Sequence, residues 1–292
     1  MIESINIEVS ASCNLTCPHC FVANRDSVPY NRKSSIQSFE ANMTDIINSD
    51  IKQVVFTGGE PTLFPQLSEY ILKLSRKNIT VLTNGIIRLD SFCKVDNIVV
   101  SLDGNDEVMQ VMRLVTKAQL NCIRANLVYY KNAIESVRIN TVVSKSTVKD
   151  MYATLEYIAD EYAIPTTVAI IDSVGSELAQ TDYMKILSAI EEIQKTYHYH
   201  FDLTHSVFSK ARFCDTYSEY NPISFPIEYR KDSNCFFSYG KSYNTLSELV
   251  FHYEADRLDA TERIIKVIAE ESSSHLFNPY VLYLKILRSE AL

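Results

Sequence analysis

Val54-Val55-Phe56-Thr57-Gly58-Gly59-Glu60-Pro61 runs four β-favouring residues into two glycines, a carboxylate and a proline. Branched and aromatic residues halted by glycine predict a strand that ends in a tight turn. The same cadence recurs on both sides. Upstream, Ile5-Asn6-Ile7-Glu8-Val9 alternates apolar and polar, as a half-buried strand does. Downstream, Ile79-Thr80-Val81-Leu82-Thr83 stops at Asn84-Gly85, and Ile98-Val99-Val100-Ser101-Leu102 stops at Asp103-Gly104. Residues 137–143 and 167–171 make two more runs. Most are nearly continuous apolar stretches, which predicts parallel strands buried on both faces.

Helical patterns lie between the runs. Phe39, Met43, Ile46 and Ile47 share one face, as do Leu67, Tyr70, Ile71 and Leu74. Val108, Val111, Met112 and Val115 form a third stripe, and Met151, Leu155 and Ile158 a fourth. Such stripes are core packing. The periodicity assigns no element to residues 122–133. Strands alternating with helices predict an α/β fold with a parallel sheet. Six strands are too few for a closed eight-stranded barrel. The expected architecture is therefore a partial (β/α)6 TIM-like barrel with a C-terminal α-rich extension, the core spanning residues 1–205 and the extension 206–292. After residue 205 the rhythm breaks into a stretch rich in Tyr, Phe, Ser and Asn, and helical patterns return at 260–271 and 279–287.

Chemistry in such folds gathers at the C-terminal edge of the strands. The polar and cysteine-rich segments fall there: Cys13 to Cys20, Gly58 to Pro61, Asn84, and Ser101 with Asp103, while Asn140 lies within the fifth run. Composition narrows the function classes. A net charge of −8 without a basic cluster argues against a nucleic-acid partner. The N-terminus lacks the basic start and apolar stretch of an export signal, and no apolar run is long enough to span a membrane. The expected location is the cytoplasm. The seven cysteines, odd in number, do not suit a secreted disulfide framework.

Three of those cysteines fall within Cys13-Asn14-Leu15-Thr16-Cys17-Pro18-His19-Cys20, directly after the first strand. Thiolates are the ligands of iron–sulfur clusters, and three of them fill three corners of a 4Fe–4S cube and leave one iron open. A structural zinc site needs a fourth ligand, and His19 beside Cys20 is awkwardly placed to supply it. Cys17-Pro18-His19-Cys20 is also a C-x-x-C of the thioredoxin kind, a reading that leaves Cys13 unexplained. Inert, buried cysteines are the third alternative. The glycine pair allows close backbone approach to a ligand, Glu60 offers a carboxylate to an amino group, and Pro61 stiffens the exit. An ordinary strand-to-helix turn explains the same four residues.

Taken together, Cys13, Cys17, Cys20 and Gly58-Gly59-Glu60-Pro61 closely resemble the radical S-adenosylmethionine (SAM) superfamily. Thr83-Asn84-Gly85, Ser101-Leu102-Asp103-Gly104 and Asn140 follow in the family's order, so the resemblance spans about residues 3–175. The resemblance implies one 4Fe–4S cluster on Cys13, Cys17 and Cys20, with its open iron chelating the methionine end of SAM. Gly58, Gly59 and Glu60 would hold the amino group. Ser101 and Asn140 match positions that contact the ribose or the methionyl carboxylate. His19 occupies the position whose backbone touches adenine, and Asn84 is a further candidate there. Reductive cleavage of SAM would yield a 5′-deoxyadenosyl radical that takes a hydrogen atom from the substrate. A flavodoxin- or ferredoxin-type reductant is the implied electron donor.

The sequence style is closest to members that modify peptides or amino-acid-derived natural products. A small metabolite or nucleotide is the alternative substrate, and a non-catalytic iron–sulfur scaffold the alternative of another class. The chain starts at its first strand, which counts against a leader-dependent peptide unless a separate peptide-binding protein takes part. Beyond residue 205 only Cys214 and Cys235 remain, too few for the second cluster of a SPASM or twitch segment. Either is a candidate hydrogen-atom donor. Cys93 and Cys122 are expected in buried packing.

Overall fold

The structure, a computed structural model, describes residues 2–24, 36–89, 94–144, 147–170, 180–197, 201–203, 227–232, 235–238 and 241–271. In chain order the elements are β1 (Ser4–Glu8), α1 (Phe21–Asn24), α2 (Ile36–Asn48), β2 (Gln53–Thr57), α3 (Leu67–Lys73), β3 (Asn78–Thr83), β4 (Asn97–Ser101), α4 (Asp106–Arg113) and α5 (Lys117–Ala133). There follow β5 (Ser136–Val143), α6 (Met151–Tyr162), β6 (Thr166–Ile170), α7 (Gln180–Tyr197), β7 (Phe201–Leu203), β8 (Glu228–Arg230), β9 (Cys235–Ser238), β10 (Lys241–Tyr243) and α8 (Leu246–Glu271). All six sequence-assigned strands are present, each within a residue of its expected bounds. The chain divides into two compact units.

The first unit comprises Met1–Ser101, Gln110–Arg138 and Phe225–Asp256. Its strands lie in the order β10-β9-β8-β1-β2-β3-β4. β8, β1, β2, β3 and β4 run parallel, and β9 and β10 are antiparallel additions. Ile5, Ile7, Val54, Phe56, Ile98 and Val100 are at most 1% exposed, while the residues between them stay half-buried or open. In β1, β2 and β4 one face is thus sealed and the other closed only in part, at Glu8, while β3 is buried on both faces at Ile79, Thr80 and Val81. The other face carries Asn6, Val55, Thr57, Val99 and Ser101, all half-buried.

Three strands of this sheet come from beyond residue 205. The sequence reading places that segment in an extension packed on the core; in the structure β8 pairs with the free side of β1. The Asn6 N–H donates to the Ile227 carbonyl at 2.7 Å and the Lys231 N–H to that of Glu8 at 3.0 Å. Buried Tyr229 stacks on Phe39 of α2 at 5.9 Å and meets Phe236 at 4.7 Å. The burial of Tyr229 and Phe236, with Tyr229 against Phe39, stabilises this pairing and offsets the cost of closing a long loop. The helical expectation at 260–271 falls within α8; that at 279–287 lies outside the described residues.

The second unit comprises Leu102–Met109, Ile139–Ser224 and Arg257–Leu292. Parallel strands β5, β6 and β7 are covered by α6 and α7, with Leu155, Val168, Ile186 and Ile193 fully buried. The strand β7 has no counterpart among the sequence-assigned strands; at three residues it is too short to show a period.

Two further expectations are corrected. Val111 is 62% exposed, and the buried face of α4 is formed by Met109 and Met112. Residues 117–133 form one helix, opened by a capping box between Thr116 and Gln119. Its buried stripe is Leu120, Ile123, Leu127 and Tyr130, which puts Cys122 on the exposed face. Cys93 lies outside the described residues. Phe236→Ala is expected to cost roughly 3–5 kcal/mol, seen as a lower urea midpoint with an unchanged slope. A change within about 0.5 kcal/mol would show that β8 and β9 are not integral to the sheet.

Candidate active site

Within the first unit, the exits of β1, β2 and β3 meet. β1 leads through residues 9–12 into the cysteine loop, and β2 leads into Gly58-Gly59-Glu60-Pro61. The β1–β2 pairing continues past the strands: the Gly59 N–H donates to the Ser10 carbonyl at 2.8 Å, and the Glu60 N–H to that of Ser12 at 2.9 Å. A Cβ on Gly59 would lie 2.3 Å from the Ser12 oxygen and 2.5 Å from that of Ala11. One on Gly58, whose φ is +134°, would lie 2.4 Å from the Ser10 oxygen. The glycines therefore serve the contact of two protein backbones. A ligand ammonium needs acceptors, and the carbonyl oxygens of Gly58 and Gly59 are what this turn offers.

Glu60 is 1% exposed, and its carboxylate is engaged from several sides. Oε1 accepts from the Thr62 N–H at 3.1 Å, the Thr62 hydroxyl at 2.7 Å and the Thr83 hydroxyl at 2.7 Å. Oε2 accepts from the Asn84 N–H at 2.7 Å. A buried carboxylate demands such donors, and these tie the β2 exit to the β3 exit. The sequence reading missed Thr62 and Thr83; a threonine two residues after a glutamate gave no signal by itself.

The three thiols sit on one loop, with Cys13 exposed and Cys17 and Cys20 half-buried. The Leu15 N–H donates to Cys13 Sγ at 3.4 Å, and the Ala23 N–H to Cys20 Sγ at 3.4 Å. The Cys17 thiol donates to the Arg113 carbonyl at 3.9 Å. Desolvation pushes the Cys13 thiol above its ordinary pKa; the Leu15 N–H opposes this, the charge of Glu60 adds to it, and the Asn84 amide opposes it again. Among the described residues, no three His, Cys, Asp or Glu side chains are grouped to ligate a single metal ion. One soft thiolate per iron, with N–H groups aimed at the sulfurs, fits an iron–sulfur cluster better than a compact zinc shell.

Asn84 is buried beside this loop, Ser101 ends β4 at the same strand edge, and His19 is half-buried in the turn before Cys20. Cys235 opens β9 opposite Arg230, which is itself opposite Glu8. That puts Cys235 at the C-terminal edge, two strands or about 10 Å from β1. Asp232 reinforces the junction, its carboxylate accepting the Ala11 N–H at 2.9 Å. Asn140 belongs to the second unit, where its carbonyl accepts the Leu102 N–H at 3.0 Å and Asp103 accepts the Val142 N–H at 2.8 Å. Cys214 lies outside the described residues.

The chain belongs to the radical SAM superfamily, which its sequence matches over residues 7–158. That family works with a 4Fe–4S cluster and S-adenosylmethionine. Over 171 residues it is 28% identical to an S-adenosylmethionine-dependent nucleotide dehydratase of Flammeovirga pacifica, covering 51% of this chain and 57% of that one. Over 203 residues it is 28% identical to an AdoMet-dependent heme synthase of Methanosarcina barkeri (strain Fusaro / DSM 804), covering 64% of this chain and 57% of that protein. The chain thus spans a little over half the length of these curated relatives.

Among solved structures, anSMEcpe with bound AdoMet superposes with a TM-score of 0.60 at 18% identity, covering 80% of this chain and 73% of that one. SuiB of Streptococcus suis gives 0.60 at 16% identity, covering 85% and 61%. These likenesses establish the fold, an α/β partial barrel of the radical SAM kind. Among the described residues, no helix is long and apolar enough to cross a membrane. Thr83→Val removes one of the three donors to Glu60 Oε1 and takes the acceptor from the Gly85 N–H, which donates to the Thr83 hydroxyl at 3.0 Å. The expected loss is about 1–3 kcal/mol in chemical denaturation. No measurable loss would show that Glu60 draws its stability elsewhere.

Proposed function

We propose that this enzyme abstracts a hydrogen atom from a peptide or an amino-acid-derived natural product, with Cys13, Cys17 and Cys20 holding the cluster. In this reading the carbonyls of Gly58 and Gly59 receive the amino group of SAM. Glu60 and Pro61 fix that turn, and Ser101 and Asn140 serve the ribose or carboxylate. The His19 backbone lies against adenine. When bound, the cluster and SAM supply one-electron cleavage to methionine and a 5′-deoxyadenosyl radical. The protein orients the substrate carbon and excludes water. Cys235, at the same strand edge, is the candidate donor of a returning hydrogen atom, a role the sequence shares between it and Cys214.

The observation that carries the substrate class is electrostatic. At the β1–β8 edge, among the described residues, the Arg230 charge is met by Glu8, with Nε 4.0 Å from Oε2, which leaves the single charge of Lys231, its Nζ 5.2 Å from the centre of the Phe64 ring. A nucleoside triphosphate needs a surplus of positive charge, whereas a neutral peptide segment does not. SuiB has been solved with its precursor peptide SuiA, and anSMEcpe with the Kp18Cys peptide. Relatives named as nucleotide dehydratase and GTP 3',8-cyclase favour the second reading, a nucleotide substrate. An electron donor of the flavodoxin or ferredoxin type and a separate peptide-binding protein are the partners this reading anticipates.

The test is anaerobic reconstitution followed by dithionite and SAM, with 5′-deoxyadenosine measured by mass spectrometry. Wild type is expected to form it and Cys17→Ala to form none. Substrate class is then read from stimulation above the uncoupled level. Stimulation by peptides supports the leading reading, and stimulation by nucleoside triphosphates alone replaces it with the second. A loaded cluster that never cleaves SAM would leave a scaffold.

A further inference from the structure

Asn84 is 6% exposed, and the orientation of its amide is fixed by its own neighbourhood. Its Oδ1 accepts the Ile86 N–H at 3.0 Å, which identifies the oxygen end. The nitrogen end therefore faces the cysteine loop. There Nδ2 lies 2.7 Å from Asn14 Oδ1 and 3.8 Å from Cys13 Sγ, within reach of the larger sulfur atom. The backbone beneath it is held on all sides. The Asn84 N–H is bonded to Glu60, and Asn126 Nδ2 donates to the carbonyls of Gly85 at 2.8 Å and Ile86 at 3.2 Å. Arg88 Nε donates to Asn126 Oδ1 at 3.0 Å, and the Leu89 N–H donates to the Tyr130 hydroxyl at 2.8 Å. Gly85, with a φ of +79°, leaves no room for a Cβ, which would lie 2.8 Å from Val100 Cγ1.

The three sulfurs are consequently unequal. Cys13 Sγ faces two N–H donors, from Leu15 and Asn84, and Cys20 Sγ faces one, from Ala23. Hydrogen bonds to cluster sulfurs stabilise the extra negative charge of the reduced state and raise its potential. We propose that Asn84 is a positioning residue for the cluster, its amide N–H aimed at Cys13 Sγ to set the reduction potential, and not primarily a contact to the nucleotide. This rests on the reading that Cys13, Cys17 and Cys20 hold the cluster.

The experiment is a redox titration of the reconstituted full chain followed by electron paramagnetic resonance, without SAM, for wild type and three variants. Asn84→Ala removes the N–H. Asn84→Ser offers a neutral acceptor for the Ile86 N–H and lacks the amide donor, so it carries the test if the alanine variant fails to fold. Asn14→Ala keeps the Asn84 N–H and removes its 2.7 Å acceptor, an oxygen that also lies 3.9 Å from Cys13 Sγ. Both Asn84 variants should have a more negative midpoint. At a fixed potential their ratio of reduced to oxidised cluster should fall about tenfold, the change that 59 mV makes for one electron. Asn14→Ala, which keeps the donor, should show no such fall. A wild-type cluster whose midpoint is unmoved in both Asn84 variants, with SAM binding alone impaired, overturns this inference and leaves the cluster reading intact. Failure of wild type to hold any cluster overturns both.

Discussion

The chemistry of this chain depends on how closely two backbone turns approach each other. The carbonyls of Ser10, Ala11 and Ser12 occupy the space where side chains would begin at residues 58 and 59. Hydrogen bonds from Gly59 and Glu60 then carry the β1–β2 pairing past the strand ends. The cysteine loop thus leaves the sheet in a fixed register, not as a free tether. A single methyl group at residue 59 would force the loop away from the turn that is meant to work beside it.

Glu60 extends the same arrangement in the other direction. Its backbone belongs to the β1–β2 junction, while its side chain reaches the β3 exit through Thr83 and Asn84. One four-residue motif therefore joins three strand ends. Burying a carboxylate without a cation requires that nearly every oxygen lone pair be met by a donor. The protein meets this demand with short side chains and backbone N–H groups, which hold position with little freedom. Rigidity at this junction follows from that demand, and the amide of Asn84 inherits it.

Much of this was legible in the sequence, because strand identity and motif order are local. The runs ending at Thr57, Thr83 and Ser101 announced themselves by composition, and the spacing of Cys13, Cys17 and Cys20 carried the resemblance to the family. What escaped reading was non-local or too short to show a period. Glu228-Tyr229-Arg230 has three residues, and only its docking beside β1 reveals it as a strand. The stripe on α4 was misjudged because valine and methionine alternate there, and apolarity alone does not say which of them faces inward. The glycine pair was read as room for a ligand, whereas the structure uses that room for its own backbone. Asn126 is the clearest omission: an asparagine within a helix signals nothing until the 85–86 carbonyls lie against it.

The bond between Asp232 and the Ala11 N–H joins residues 221 positions apart. During synthesis, β1 leaves the ribosome long before the strand that completes its open side. Until residues 227–232 arrive, β1 presents a bare row of peptide groups beside three reactive thiols, an invitation to mispairing and oxidation. On the proposed reading that these thiols hold the cluster, the timing of translation bears on when iron and sulfide can usefully be delivered. Delivery before β8 is in place would reach the thiols while the turn that braces them is still unfinished.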